Sequence, residues 1–180
     1  MISYVTRDQL RGFGTTLNEG ARESLRKSAT PVNATFLSHS SKDEELVLGT
    51  TRILSNHGAT VYVDRVDPTL PPYTSKETAA ALKRRIGQCR KFVLLASENS
   101  KGSHWVPWEL GIADGERGMP NIALFPAIEN NGSRGWTSWE YMGLYRRIVW
   151  GDLQGYKDPL WMVLDEENNT ATRLSEWLDA

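Results

Sequence analysis

Lys91-Phe-Val-Leu-Leu-Ala-Ser97 is a short apolar run bounded by polar residues. Its five central residues are all apolar, so a strand here would bury side chains on both of its faces. Strands of this kind form the middle of parallel sheets, in which helices cover both sides. The run therefore predicts an α/β protein built on a parallel sheet.

Similar segments on either side of this run extend the prediction to a whole sheet. Short β-prone segments alternate with segments whose apolar residues recur every three or four positions, and that alternation is typical of parallel sheets with right-handed crossovers. We predict a five-stranded, mainly parallel sheet with helices on both faces. Its strands are residues 34–38, 59–64, 91–97, 121–126 and 147–150.

The two ends of the chain carry weaker patterns. Residues 1–30 are mostly polar around a sparse apolar set, which indicates an N-terminal helical extension. Residues 31–180 are then predicted to form the main domain, including a C-terminal helical tail.

Composition excludes several classes of function. The 180 residues have a net charge of −1 with acids and bases interspersed, so we expect no nucleic-acid surface and no polybasic membrane anchor. No apolar run approaches a membrane span, and we expect a cytoplasmic protein. One cysteine and three isolated histidines offer no pair of metal ligands, so we expect no metal site.

Polar residues follow several of the predicted strands. In parallel α/β sheets, ligands bind at the carboxyl ends of the strands. At that edge we expect Ser38, His39 and Ser40, together with Asp64 and the start of the helix that begins near Trp105. We therefore expect the functional site at this edge.

Three motifs, in order along the chain, resemble those of Toll/interleukin-1 receptor (TIR) domains. Thr35-Phe-Leu-Ser-His-Ser-Ser-Lys-Asp43 resembles their first strand and the loop after it. Val61-Tyr-Val-Asp64, followed by Leu70-Pro-Pro-Tyr-Thr-Ser-Lys-Glu-Thr78, resembles their second strand and BB loop. Ser103-x-Trp105-x-x-x-Glu109 matches the signature of catalytic TIR domains, whose glutamate is essential for cleaving NAD.

The resemblance implies a flavodoxin-like fold and a set of site residues. Glu109 would be catalytic, and NAD would be the substrate, with no separate cofactor. The predicted substrate-binding residues are Ser38, His39, Ser40, Lys42, Asp64 and Trp105. The predicted assembly residues, in the BB loop, are Asp67, Pro71, Pro72, Tyr73 and Thr74.

The proposed reaction explains why one carboxylate can suffice. Nicotinamide leaves the ribose as a neutral molecule and needs no proton from a general acid, unlike the leaving group in ordinary glycoside hydrolysis. A carboxylate can stabilise the positive charge that develops on the sugar, and a position near a helix start favours its ionised form. Trp105, one turn earlier, would form an aromatic wall. The alternative is structural: acids often cap helices, and tryptophans usually pack in cores.

The chain is similar to stand-alone bacterial TIR proteins of Thoeris-type antiphage systems. That similarity implies association between TIR domains, an infection-derived activator and an effector reached by a small-molecule product. The product would be a cyclic ADP-ribose isomer, linear ADP-ribose or a conjugate.

Two features depart from the best-known members, namely His39 after Ser38 and Pro107 inside the signature helix. His39 leaves the contacts to adenine or phosphate open, whereas a first helical turn tolerates proline.

Two other functions remain open from the sequence. A non-enzymatic TIR adaptor would use the BB loop only for association, and Glu109 would then be an ordinary helix cap. A nucleoside deoxyribosyltransferase-like enzyme would share a flavodoxin-like sheet and a glutamate that attacks a sugar carbon. Consumption of NAD distinguishes both from the proposed enzyme.

Overall fold

The computed structural model describes residues 1–16, 19, 23, 30–64, 75–129 and 142–180. The strands in these ranges are β1 (Val5–Thr6), β2 (Thr35–Ser38), β3 (Val61–Tyr62), β4 (Lys91–Ala96), β5 (Ile122–Ile128), β6 (Arg146–Gly151), β7 (Leu160–Asp165) and β8 (Thr170–Arg173). The helices are α1 (Arg7–Thr15), α2 (Glu44–Asn56), α3 (Lys76–Gln88), α4 (Glu98–Lys101), α5 (Trp105–Arg117) and α6 (Leu174–Asp179). Short 3₁₀ turns span Ser41–Asp43, Met119–Asn121 and Met142–Leu144.

The predicted parallel sheet is confirmed. Strands β3, β2, β4, β5 and β6 lie side by side in that order, and each pairs in parallel with its neighbour. Every residue of β4 and β5 is buried, as expected from sequences that are apolar except at Lys91. The order changes direction between β2 and β4, which is where open α/β sheets form their ligand crevice.

Helices cover both faces of the sheet, so the core has two layers. Alternate residues of β4 enter the two layers, with Phe92 and Leu94 in one and Val93 and Leu95 in the other. The first layer includes residues of α3 and α5: Leu82, Ile86, Val106, Leu110 and Ala113. The second includes residues of α1, α2 and α6: Leu10, Leu46, Ile53, Leu54, Leu174, Trp177 and Leu178.

The C-terminal region adds an antiparallel hairpin where the sequence predicted a helical tail. β7 pairs with β6 and β8 pairs with β7, and α6 is the helical part of this tail. Trp161 of β7 explains the preference for a strand, because it lies beside Trp150 of β6 and Phe125 of β5. The turn between the two strands has Asn169 at a φ of 50°, a conformation that asparagine tolerates.

The first residues of the chain pack against this sheet. Val5 and Thr6 pair with Ala127 and Ile128 at the carboxyl end of β5, while Ser3 forms a bridge with Trp150 of β6. Strand β1 therefore lies between the carboxyl ends of β5 and β6. Whether a domain boundary falls at residue 30 stays a prediction.

None of the helices in the described ranges combines the length and apolar character that crossing a membrane requires.

Candidate active site

Ser38 and Asp64 lie at the carboxyl ends of two neighbouring strands. Ser38 is the last residue of β2, and Asp64 lies two residues beyond the end of β3, whose Tyr62 pairs in parallel with Phe36 of β2. Both Ser38 and Asp64 are buried. The predicted convergence at the carboxyl edge is therefore present in this pair of strands.

Glu109 reaches this edge from α5. Its side chain is buried, at 4% exposure, although it carries an ionisable carboxyl. The Ser38 hydroxyl donates a hydrogen bond of 2.6 Å to Oε2 of Glu109. A buried carboxyl is rare in proteins unless a partner compensates for its lost hydration. Here a hydroxyl at the end of β2 is that partner.

The surroundings of Glu109 oppose its negative charge. Burial raises the pKa of the Glu109 carboxyl well above its usual range, and the nearby Asp64 carboxyl raises it further. The hydrogen bond from Ser38 lowers the pKa, but less than burial raises it. The carboxyl therefore holds a proton at a pH where an exposed glutamate would have lost it.

The expectation that a helix start would favour ionised Glu109 is wrong. Helix α5 begins at Trp105, so Glu109 lies in its second turn, and the first turn contains no acid. The favourable effect of the helix dipole fades beyond the first turn. Ser103 lies just before the first turn of α5 instead, and its hydroxyl accepts a hydrogen bond of 3.3 Å from the Val106 amide.

Trp105 and Trp108 form an aromatic pair on α5. Both are half-buried against the core layer beneath this helix. Their ring centroids are 5.2 Å apart and the rings are nearly perpendicular, a favourable edge-to-face arrangement. The Lys83 ammonium lies 5.9 Å from the centroid of the Trp108 ring. Trp105 lies one turn before Glu109 on the same side of the helix, and its contact with substrate stays a prediction.

The loop after β2 holds three more predicted residues in different environments. Ser40 is buried and its hydroxyl accepts a hydrogen bond of 3.4 Å from the Lys42 amide. His39 is half-buried and Lys42 is exposed. Ser38, which ends β2 just before this loop, donates the hydrogen bond to the Glu109 carboxyl described above. Substrate binding by His39, Ser40 and Lys42 stays a prediction.

No group of three or more potential metal ligands occurs among the residues that the structure describes.

Comparison with known sequences gives the family. Residues 35–162 match the profile of the TIR domain, which covers the sheet from β2 into β7 together with Ser38, Asp64 and Glu109. This chain belongs to the TIR domain family. The flavodoxin-like fold expected from the resemblance is confirmed, with the C-terminal hairpin and β1 added to its five parallel strands.

Two relatives of this TIR protein have informative names. "Probable 3' cyclic ADP-D-ribose synthase ThsB'" of Bacillus cereus (strain MSX-D12) is 32% identical over 146 residues, which cover 79% of this chain and 74% of the relative. TIR2 of Cytobacillus dafuensis, also named for cyclic ADP-D-ribose synthesis, is 32% identical over 78 residues. That match covers 42% of this chain and 21% of the relative.

The predicted assembly residues of the TIR domain lie outside the described ranges. These are the BB-loop residues Asp67, Pro71, Pro72, Tyr73 and Thr74. Ser75, the next residue within the described ranges, caps α3: its hydroxyl accepts a hydrogen bond of 3.1 Å from the Thr78 amide. The role of the BB loop in assembly stays a prediction.

Sequence reasoning missed a polar cluster next to the site. Asp43 is fully buried, and Ser97 and Asn99 both donate hydrogen bonds to its carboxylate. Arg7 of α1 forms an ion pair with the same group. Asp43 and Ser97 stand out in the sequence as polar residues that follow strands, but no local pattern links Arg7 to either of them.

Proposed function

We propose that this TIR protein cleaves the bond between nicotinamide and ribose in NAD and forms a cyclic ADP-ribose signal in antiphage defence. The observation that carries the proposal is the buried Glu109 carboxyl, which Ser38 holds at the carboxyl edge of the sheet. The names of two relatives, which both refer to cyclic ADP-D-ribose synthesis, support the same reaction. The family and these names do not favour an adaptor or a deoxyribosyltransferase-like enzyme.

The reaction needs charge stabilisation more than proton transfer. When the bond between the ribose C1′ and the pyridinium nitrogen breaks, both electrons leave with nicotinamide, which becomes neutral. Positive charge then develops on the ribose, and an ionised Glu109 close to the sugar stabilises it. A nucleophilic group of the same ADP-ribose attacks C1′ and loses its proton if it carries one, which closes the ring. Attack by water instead gives linear ADP-ribose.

The electrostatics of the site suit a cationic ligand. Two buried carboxyls, Glu109 and Asp64, lie close enough for Asp64 to disfavour ionisation of Glu109. The pyridinium of NAD brings a positive charge into this region, and a nearby positive charge favours the ionised carboxylate. Substrate binding would therefore generate the charged form of Glu109 that the reaction requires.

The proposal also includes the cellular setting of the reaction and the partners of the protein. We place the reaction in the cytoplasm, with association between TIR domains, activation by an infection-derived signal and an effector that senses the product. Membership in the TIR family supports association, and similarity to a ThsB' protein supports a Thoeris setting.

Mass spectrometry of the products tests the proposed reaction. Purified protein, at a concentration high enough for self-association, is incubated separately with NAD and with deoxynucleosides. We expect free nicotinamide and a product with the mass of cyclic ADP-ribose from NAD, and unchanged deoxynucleosides. Linear ADP-ribose alone would reduce the proposal to an NAD glycohydrolase. Unchanged NAD, even with lysate of phage-infected cells added as a source of activator, would favour the adaptor.

A further inference from the structure

Arg7 lies where the N-terminal segment meets the carboxyl edge of the sheet. It is the first residue of α1 and directly follows Thr6, which pairs with Ile128 at the end of β5. Its side chain is only 10% exposed. A buried guanidinium stays charged and needs anionic partners.

Three carboxylates from different parts of the chain surround this guanidinium. Nη1 of Arg7 is 3.6 Å from Oδ1 of Asp43, and Nη2 is 3.5 Å from Oε1 of Glu45. Nε is 3.3 Å from Oε1 of Glu129, which follows β5. Half of the Glu45 side chain and more than half of the Glu129 side chain are exposed to solvent. The Asp43 side chain, in contrast, is fully buried. Asp43 is therefore the partner that depends most on Arg7.

Asp43 joins two loops that follow neighbouring strands. The Ser97 hydroxyl, after β4, donates a hydrogen bond of 2.5 Å to Oδ2 of Asp43. The Asn99 side-chain amide donates one of 2.7 Å to Oδ1. Asp43 itself ends the segment that starts at Ser38, the residue that contacts Glu109. Among the described residues, Arg7 is the cation that forms an ion pair with Asp43.

We propose that Arg7 is a positioning residue: by neutralising buried Asp43, it holds residues 39–43 in place and so keeps the Ser38 hydroxyl directed at Glu109. The inference rests on the proposed NAD cleavage for its kinetic consequence, but not for its structural one. Without Arg7, the partners of buried Asp43 among the described residues would be the neutral donors Ser97 and Asn99, and the loop would have to move to hydrate the charge. Small displacements of groups that orient a reacting centre reduce rates strongly.

The test combines amide hydrogen exchange with kinetics on four variants of the full chain. Arg7→Met removes the charge and keeps the alkyl chain, Arg7→Lys keeps a charge, and Arg7→Met with Asp43→Asn removes both charges. Arg11→Gln is the matched control, because Arg11 lies on the same helix and pairs with Glu45 and Asp8 at the surface.

We expect Arg7→Met to exchange faster in residues 39–43 and to lose about 10- to 100-fold in kcat/KM. The exchange rate and the kcat/KM of Arg7→Lys should both lie between those of Arg7→Met and the wild type. The double variant should recover part of both losses, since the uncompensated charge is gone. Arg11→Gln should match the wild type in both measurements.

The proposal would be overturned if residues 39–43 exchanged in Arg7→Met at the wild-type rate. It would also be overturned if the double variant exchanged faster there, or had a lower kcat/KM, than Arg7→Met alone. If the wild type cleaves no NAD, the proposed function fails separately. The exchange measurement then decides whether Arg7 holds the loop.

Discussion

Glu109 is a residue whose surroundings oppose the charge that its proposed role needs. Burial and Asp64 raise the pKa of its carboxyl, and the Ser38 hydrogen bond only partly offsets them. Groups with perturbed pKa values concentrate at functional sites, because catalysis uses charges that folding alone would avoid. The conflict leads to two measurable effects, one on activity and one on stability.

The pH dependence of NAD cleavage should report the raised pKa of Glu109. Since the ionised carboxylate stabilises the developing cation, kcat/KM should fall as the pH drops through the pKa of Glu109 in the free enzyme. That fall should occur at a higher pH than for an ordinary glutamate, because burial and Asp64 raise the pKa. Asp64→Asn should shift the midpoint to lower pH, because it removes one of the causes of the raised pKa.

The midpoint is the informative quantity in this profile, since Asp64→Asn can also weaken substrate binding and lower kcat/KM at every pH. Lys83→Gln is a control on the same side of the sheet, where Lys83 lies over the Trp108 ring. Its midpoint should stay close to that of the wild type. A midpoint that Asp64→Asn leaves unmoved would show that Asp64 does not affect the ionisation of Glu109.

Glu109→Gln should stabilise the protein, and more so at higher pH. A carboxyl with a raised pKa in the folded state contributes stability below its unfolded pKa and loses it as the pH rises through its folded pKa. Glutamine lacks this loss, so its gain over the wild type should grow with pH, by about 1.4 kcal/mol per unit of pKa elevation. Thermal unfolding from acidic to mildly alkaline pH measures the difference. A constant difference across that range would contradict the raised pKa.

At the residue scale, the sequence predicted the location of the site better than its electrostatics. Ser38 and Asp64 could be predicted because each follows a strand whose apolar residues are evident. The burial of Glu109 depends on how α5 packs over β2, β4 and β5, and the spacing of residues in the sequence does not contain that packing. The local patterns of the sequence therefore place Glu109 near the other polar residues of this edge, but they predict the wrong preferred charge state for its carboxyl.

At the element scale, helices α1 and α2 approach unusually closely at Gly49. A Cβ atom added at Gly49 would lie 2.0 Å from the carbonyl oxygen of Leu10, which is far inside van der Waals contact. Backbone atoms cannot yield as a flexible side chain would, so α1 would have to move away. Glycine at this position therefore allows the close contact between α1 and α2.

Gly49→Ala should therefore destabilise the protein by about 1–3 kcal/mol, because the overpacking outweighs the better helix propensity of alanine. Gly115→Ala on α5 is the control, since nothing lies within 4 Å of a Cβ added there. It should stabilise by roughly 0.5–1 kcal/mol. Denaturant unfolding measures both variants, and a stabilising Gly49→Ala would contradict the close contact of the two helices.

The elements that were predicted differ physically from those that were missed. Strand β5 is apolar throughout and β4 is apolar after Lys91, so their sequences alone indicate burial on both faces. Strand β1 has only two residues, and it forms because it fits between β5 and β6, a feature of tertiary structure. The hairpin of β7 and β8 depends on cross-strand contacts such as Trp150 with Trp161, which no local period reveals.

At the scale of the whole molecule, the proposed assembly of TIR domains predicts an activity that depends on concentration. If a neighbouring copy completes the site, nicotinamide release per molecule should rise with protein concentration and then level off. Measuring initial rates across a dilution series, beside the oligomeric state from light scattering, tests this expectation. Strictly linear dependence of the rate on concentration, from the most dilute sample upward, would count against required assembly.

The central claim is that the Glu109 carboxylate stabilises the ribosyl cation as nicotinamide leaves. Nicotinamide release by Glu109→Gln, beside Glu116→Gln, tests it most directly, because Glu116 is an exposed glutamate on the same helix. We predict that Glu109→Gln remains folded and loses on the order of 10²-fold or more in rate, whereas Glu116→Gln keeps the wild-type rate. Wild-type release by folded Glu109→Gln would contradict the account.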